Sequence, residues 1–159
     1  MTPLPNGHKQ PTMKAVFPGT FDPFTVGHDD IVRRALTFTD EIVIAVGINE
    51  RKHTLTELDD RLDAIRRVYA DEPRVSVAFY DGLTADFARE VGAQFIIRGV
   101  RSMTDYEYER NMADINRHLN DIETVLLFSS PELACVSSSM VRELIHLGKS
   151  VDEYLPNKR

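Results

Sequence analysis

The chain has 159 residues, 42% hydrophobic and 28% charged, enough for one domain with a sizeable core and too few for two comfortable ones. A net charge of −6 excludes the broad basic field of a general nucleic-acid binder, while leaving room for a local cation cluster facing a small anion. The single cysteine, Cys135, rules out an intrachain disulfide, and no apolar run approaches the roughly 18 residues of a membrane span.

The opening "MTPLPNGHKQPT" lacks the apolar stretch of a secretion signal, so residues 1–12 read as a polar extension ahead of one domain, 13–159, suited to a reducing cytoplasm. A first strand is expected at about 14–17. Asp29–Phe38 then carries Ile31, Val32, Ala35 and Leu36 at helical spacing. "EIVIAVGI" (Glu41–Ile48) is a near-continuous apolar run, as in a strand buried on both faces. Thr56–Tyr69 sets Leu58, Leu62, Ile65 and Val68 on one stripe. Strand "RVSVAFY" (Arg74–Tyr80) leads to a helix over Leu83–Val91, with Phe87, Ala88 and Val91 inward and Gly92 as its stop. Strand "QFIIRG" (Gln94–Gly99) leads to a long helix, Thr104–Leu119, with Tyr108, Met112, Ile115 and Leu119 on a stripe. Strand "ETVLLF" (Glu123–Phe128) precedes a last helix, Ser138–Leu147, and "VDEYLP" adds one helical turn.

Strands alternating with helices predict a Rossmann-like, doubly wound five-stranded parallel sheet of order 3-2-1-4-5. Ligands of such sheets bind beyond the carboxyl ends of the strands, near the switch point. The residues just after each strand therefore carry the functional information. After strand 1, "PGTFDPFTVGH" places Thr20 and His28 at a strand-to-helix turn. It reads either as a glycine-punctuated turn with a surface histidine or as a phosphate site at a helix N-terminus. After strand 2, Arg51, Lys52 and His53 form a basic loop. After strand 4, Arg98 and Arg101 bracket Gly99 and Val100, a pair able to clamp phosphate oxygens or to form structural ion pairs. After strand 5, Ser137, Ser138 and Ser139 offer a helix cap or extra hydroxyls for an anion. One sheet edge would gather all of these into a cationic site for a polyphosphate. Neither a GxxxxGK[ST] loop nor GxGxxG is present, and no Cys/His spacing points to structural zinc.

These residues also carry a resemblance. "PGTFDPFTVGH" resembles the T/H-x-G-H signature of the nucleotidyltransferase superfamily. With "FAR" (Phe87–Arg89), "IRGVR" (Ile97–Arg101), "DYEYE" (Asp105–Glu109), "NRHL" (Asn116–Leu119) and "VSSSMVREL" (Val136–Leu144), the chain resembles the bacterial phosphopantetheine adenylyltransferases from about Lys14 to Pro156. The resemblance implies adenylyl transfer from ATP to 4′-phosphopantetheine, with Mg²⁺ carried by the nucleotide rather than by a protein metal site. It also implies a homohexamer in the cytoplasm, with neither nucleic-acid nor membrane partners.

By the same resemblance His28, Lys52 and Thr20 are catalytic. Thr20, Phe21, His28, Gly99, Val100, Arg101, Glu109 and the segment Leu133, Ala134, Cys135, Val136, Ser137, Ser138 and Ser139 would bind ATP. Thr20, Lys52, Thr84 and Arg98 would take phosphopantetheine. Cys135 is expected to be a small packing residue near the nucleotide, and Asp22 and Pro23 to give the turn its shape. Other superfamily enzymes, such as a cytidylyltransferase or a nicotinate-mononucleotide adenylyltransferase, and a non-catalytic nucleotide sensor, are the alternative readings.

Overall fold

Strand β1 (Lys14–Gly19) lies at the centre of a five-stranded parallel sheet with order β3-β2-β1-β4-β5. The other strands are β2 (Glu41–Ile48), β3 (Val75–Asp81), β4 (Phe95–Val100) and β5 (Glu123–Phe128). The computed structural model describes residues 11–157, so most of the expected N-terminal extension lies outside the described residues.

β1 runs in register with β2 through Ala15↔Ile42 to Gly19↔Val46, and with β4 through Ala15↔Phe95 and Val16↔Ile96. The pleat sends alternate side chains to opposite faces. Ala15 and Phe17 enter one core cluster with Ile31 and Val32 of helix α1 (Val26–Ala35) and Leu62 and Ile65 of helix α2 (Leu58–Val68). Val16 enters the other, with Ala85 and Ala88 of helix α3 (Thr84–Glu90) and Ile96 of β4. Both faces of the central strands are thereby covered, which is why β2 needs an unbroken apolar run. Each fully buried Ile or Val contributes about 1.5–3 kcal/mol.

The chain leaves β1 for β2 and β3 on one side, then returns through α3 to place β4 beside β1. The tops of β1 and β4 diverge there, and a cleft opens. Helices α4 (Met103–Asn120) and α5 (Ser138–His146) border it. A short 3-10 turn at Asp152–Tyr154 matches the expected closing turn.

Two expectations change. α1 begins at Val26 rather than Asp29, because Thr25 caps it and its side chain accepts from the His28 N–H. The stripe on α4 is not a core face: Tyr108, Ile115 and Leu119 are all exposed.

The turn after β1 is tightly built. Phe21 is buried yet has φ 52°, a left-handed conformation that costs a non-glycine residue about 1–3 kcal/mol. Its ring stands over Gly19, where an added Cβ would meet ring carbons at 2.8 Å. Gly19→Ala should therefore destabilise the protein by about 1–3 kcal/mol through overpacking. Urea denaturation checks this, and an unchanged midpoint would show that Phe21 does not depend on Gly19.

Candidate active site

Six segments converge on a cleft of about 400 Å³: Phe17–Asp22, Thr25–Ile31, Lys52, Arg98–Arg101, one face of α4, and Val136–Ser139 with Arg142. All but α4, Ile31 and Arg142 lie at or just beyond carboxyl ends of strands or at helix N-termini, where open α/β sheets bind their ligands.

The turn after β1 is held from several directions. The Asp22 carboxylate is buried and accepts from Leu55 N at 2.7 Å, Thr56 N at 3.1 Å and Thr56 Oγ1 at 2.8 Å. It therefore does more than shape a turn: it ties the segment following Lys52 to the segment carrying Thr20. Arg142 donates to the Asp22 carbonyl at 2.8 Å, and the Ser138 hydroxyl donates to the Pro23 carbonyl at 2.8 Å.

His28 occupies the third position of α1, inside a reciprocal capping box with Thr25. The Thr25 backbone N–H donates to His28 Nδ1 at 2.9 Å. A backbone N–H can only donate, so Nδ1 must accept, and the neutral ring carries its proton on Nε2. Phe17, Phe21 and Phe24 pack around the imidazole at centroid distances of 6.2, 5.0 and 5.3 Å. Burial among these rings pulls the pKa down, and the Arg98 and Arg101 charges pull the same way, to about 3. His28 is thus a neutral hydrogen-bond donor lining the cleft.

Gly27, one residue earlier, lines the same cleft. A Cβ there would meet nothing in the protein closer than 3.5 Å. Packing does not demand this glycine, and its missing side chain leaves the α1 N-terminus open to close approach from the cleft.

The cations differ in how they are held. Arg98 makes a bidentate pair with Glu109, at 2.8 and 2.6 Å, and donates to the Pro18 carbonyl at 2.6 Å. Burial penalises its charge, but Glu109 outweighs that penalty and holds the guanidinium above its ordinary value. The structural ion pair and the cleft-lining position therefore coexist. Arg101 pairs more loosely with Asp105, at 3.3 Å, and is exposed. Lys52 lines the cleft with no ion pair among the described residues.

At α5 the serines divide their work. Ser137 caps the helix by accepting from Met140 N at 3.0 Å, and Ser139 accepts from Arg142 at 3.1 Å. Both hydroxyls keep a proton to donate. Ser138 donates its proton to Pro23, so its contribution to an anion is its backbone N–H at the helix start.

The cleft brings together Thr20, Phe21, His28, Lys52, Arg98, Gly99, Val100, Arg101, Glu109, Val136, Ser137, Ser138 and Ser139. Phe21 lines the cleft although only 3% of it is exposed. Leu133 ends the 3-10 turn Pro131–Leu133, Ala134 and Cys135 follow it, and none of the three lines the cleft. Cys135 is exposed, which corrects its expected packing role: the turn points it away from the core. Thr84 lies beyond edge strand β3 and shares a 2.7 Å hydrogen bond with the Tyr80 hydroxyl, outside the cleft lining. Sequence reasoning missed Thr25, Asp105, Tyr108 and Arg142. The Thr25-x-x-His28 spacing could have signalled the capping box, but contacts over 100 residues apart, such as Arg142 to Asp22, leave no local trace.

Among the described residues, no cluster of three or more His, Cys, Asp or Glu could hold a metal ion, and no helix is long and apolar enough to cross a membrane.

The cytidylyltransferase-like family model matches residues 16–144. Phosphopantetheine adenylyltransferases of Bacteroides fragilis and Bacteroides thetaiotaomicron are each 57% identical over 143 residues, covering 90% of this chain and 95% of theirs. That of Porphyromonas gingivalis is 51% identical over 142 residues, 89% of this chain and 93% of its own. A crystal structure of a bifunctional NMN adenylyltransferase/ADP ribose pyrophosphatase from Francisella tularensis superposes with a TM-score of 0.69 at 14% identity. It covers 93% of this chain, which spans 46% of that larger protein, so the likeness is one of fold. A second crystal structure of that protein, complexed with AMP and a manganese ion, superposes with a TM-score of 0.67. By sequence over nearly its whole length, the chain belongs to the phosphopantetheine adenylyltransferase family within the cytidylyltransferase-like nucleotidyltransferases.

Proposed function

We propose that this chain transfers the adenylyl group of ATP to 4′-phosphopantetheine, giving dephospho-coenzyme A and pyrophosphate. The observation that carries this reading is the convergence of Thr20, His28, Lys52 and Arg101 on one cleft in a chain 57% identical to its relatives.

The nucleophile is a phosphate oxygen of phosphopantetheine, already ionised, so no general base is required. It attacks the α-phosphorus in line. The bond to the bridging oxygen breaks, and its electron pair leaves with pyrophosphate. No covalent enzyme intermediate forms. The barrier lies in joining two anions and spreading charge over the α-phosphate, so positioning and electrostatics supply the catalysis.

Thr20 orients the incoming phosphate. His28 Nε2–H donates to an equatorial oxygen of the α-phosphate, and Lys52 steadies that phosphate and the acceptor. Arg101, the Ser139 hydroxyl and the Ser138 and Ser139 amides hold the leaving pyrophosphate. Leu133 to Val136, with Gly99, Val100 and Glu109, border the nucleotide. Arg98 and, further along the sheet top, Thr84 border the pantetheine arm.

A divalent cation, Mg²⁺ by resemblance, would be carried by the nucleotide's own phosphates and would offset charge on the leaving pyrophosphate. The cleft carboxylates Asp105 and Glu109 are each engaged by an arginine. Residues 13–159 form the catalytic domain, working in the cytoplasm as a homohexamer. The exposed apolar residues Ile115 and Leu119 on α4 offer a face for other copies to cover.

Mixing the protein with ATP, Mg²⁺ and a panel of phosphate acceptors should yield dephospho-coenzyme A from 4′-phosphopantetheine, followed by pyrophosphate release and mass spectrometry. Turnover only with nicotinate mononucleotide, or only from CTP, would replace this reading with another branch of the superfamily.

His28→Ala should fold normally and lose about 10²–10³-fold in kcat, the cost of removing one preorganised donor. Because the folded pKa lies near 3, the His28 ring should not titrate between pH 5 and 8 when followed by NMR. The sign for stability follows from the same number. Between about pH 6.5 and 3 the unfolded chain binds a proton that the folded chain refuses, so stability falls as pH falls through that window. His28→Asn should flatten that slope in urea denaturation at several pH values, and an unaltered slope would contradict a neutral buried ring.

Lys52→Ala should lower kcat by a similar factor and also raise the KM for phosphopantetheine, whereas Arg101→Ala should raise chiefly the KM for ATP. Steady-state kinetics with each substrate varied in turn separates the two roles.

A further inference from the structure

Arg61, on α2, stands behind the cleft rather than in it. It is 8% exposed, yet no carboxylate among the described residues comes within ion-pair distance. Its Nε is buried without a partner. Among the described residues its side chain makes one hydrogen bond, from Nη1 to the Thr20 carbonyl oxygen at 2.7 Å. Burying a charge costs several kcal/mol unless something compensates it, so a merely structural donor to one carbonyl would be better served by a neutral side chain.

The Thr20 carbonyl belongs to the same peptide unit as the Phe21 N–H. In a trans peptide these two groups point in opposite directions. With the carbonyl fixed on Arg61, the Phe21 N–H must face away from α2, the side on which Thr20 and Phe21 line the cleft. Among the described residues this N–H donates to no protein acceptor. The left-handed φ of 52° at Phe21 is part of the same arrangement, because it turns the chain so that ring and amide part company.

We propose that Arg61 is a positioning residue for adenylyl transfer: it aims and polarises the Thr20–Phe21 peptide so that the Phe21 N–H donates to a nucleotide phosphate in the cleft. The cation draws electron density from the carbonyl oxygen, which makes the N–H at the other end of the peptide a stronger donor. An unpaired cation also holds the positive end of its field toward the place where two anionic substrates meet. The assignment rests on the proposed reading for its reaction, but only on phosphate binding for its geometry.

A second cavity of about 330 Å³, lined by Phe21, Phe24, Arg61, Arg67, Val68 and Leu155 among others, lies on the other side of this peptide. It gives solvent a path to Arg61 and leaves room for a substituted side chain to settle without disrupting the core.

Three variants test the proposal: Arg61→Met, which keeps the stem and loses donor and charge, Arg61→Lys, which keeps both, and Arg61→Gln, which keeps a neutral donor. ATP affinity is measured by calorimetry without acceptor, and the Phe21 amide is followed by ¹⁵N NMR on adding a non-hydrolysable ATP analogue. In the unaltered protein that amide proton should move downfield on nucleotide binding. In Arg61→Met the shift should shrink and ATP affinity and kcat should each fall about tenfold, the scale of one hydrogen bond to a charged group. The KM for phosphopantetheine should stay within about twofold. Arg61→Lys should recover most of the loss and Arg61→Gln less.

The proposal is overturned if the Phe21 amide ignores the nucleotide in the unaltered protein, or responds equally in the Met variant. It is equally overturned if Lys does no better than Met, or if ATP affinity per folded molecule is unchanged. Should Arg61→Met fail to fold, the Lys and Gln variants decide by the same readouts. Absence of transfer to phosphopantetheine in the unaltered protein would count against the proposed reaction alone, because the binding and amide measurements need no acceptor.

Discussion

Four anchors fix the segment Thr20–Pro23, and the rest of the site is arranged around it. Its carbonyls accept from Arg61, Arg142 and the Ser138 hydroxyl, and its one carboxylate accepts from Leu55 and Thr56. These partners come from α2, α5 and the loop after β2, so three elements are referenced to one turn. A side chain on a loop is ordinarily less well placed than one on a strand or helix. Here the loop is cross-braced, and Thr20, Lys52 and the α5 serines hold fixed relations to one another. Catalysis by positioning needs that, since a small displacement of reacting groups erases much of the advantage.

The charge layout resolves an apparent conflict between a net charge of −6 and a site for polyphosphate. The cations need not dominate the protein's field. They need only be concentrated where the strand tops open and be kept from collapsing onto carboxylates. Arg98 is committed to Glu109 by two short hydrogen bonds, and the pair acts as a rigid wall. Arg101 holds Asp105 at longer range in solvent, where an ion pair is worth only about 0–1 kcal/mol, so phosphate can take it over at little cost. Two arginines three residues apart in sequence thus do different work because one is buried beside its partner and the other is not.

Much of this was legible in the sequence, and the reasons are physical. β2 and β5 were readable to the residue because an apolar run bounded by polar residues has only one place in a covered parallel sheet. The strand order followed from right-handed crossovers, and the strand-end rule then selected Thr20, His28, Lys52, Arg98 and Arg101 before any family pattern was needed. What could not be read were relations at long range. The stripe on α4 has the period of a core helix, yet period reports only that one face is apolar, not what covers it, and Tyr108, Ile115 and Leu119 lie open. Arg61 was not singled out, because nothing local shows that a guanidinium will be carried inward to a carbonyl 41 residues away. Thr84, implied by the resemblance alone, lies outside the cleft lining. Its strand is at the edge of the sheet, two places from β1, and a spacing of roughly 4.8 Å per strand carries its loop outward.

The groups that line the cleft differ in kind. His28 is kept neutral by its aromatic surroundings and by two nearby arginines, and the backbone amides at the start of α1 are dipoles rather than charges. Full charges share the cleft with them, on Lys52, Arg98 and Arg101. For the proposed reaction the difference matters because only interactions that strengthen between ground state and transition state raise the rate. A neutral donor held with its proton on Nε2 would serve that reaction by strengthening its hydrogen bond as charge accumulates on the α-phosphate oxygens. The same aromatic rings that make His28 a poor base therefore make it an effective donor. The strained Phe21, whose ring is one wall of that pocket, is the point at which core packing and phosphate chemistry are one requirement.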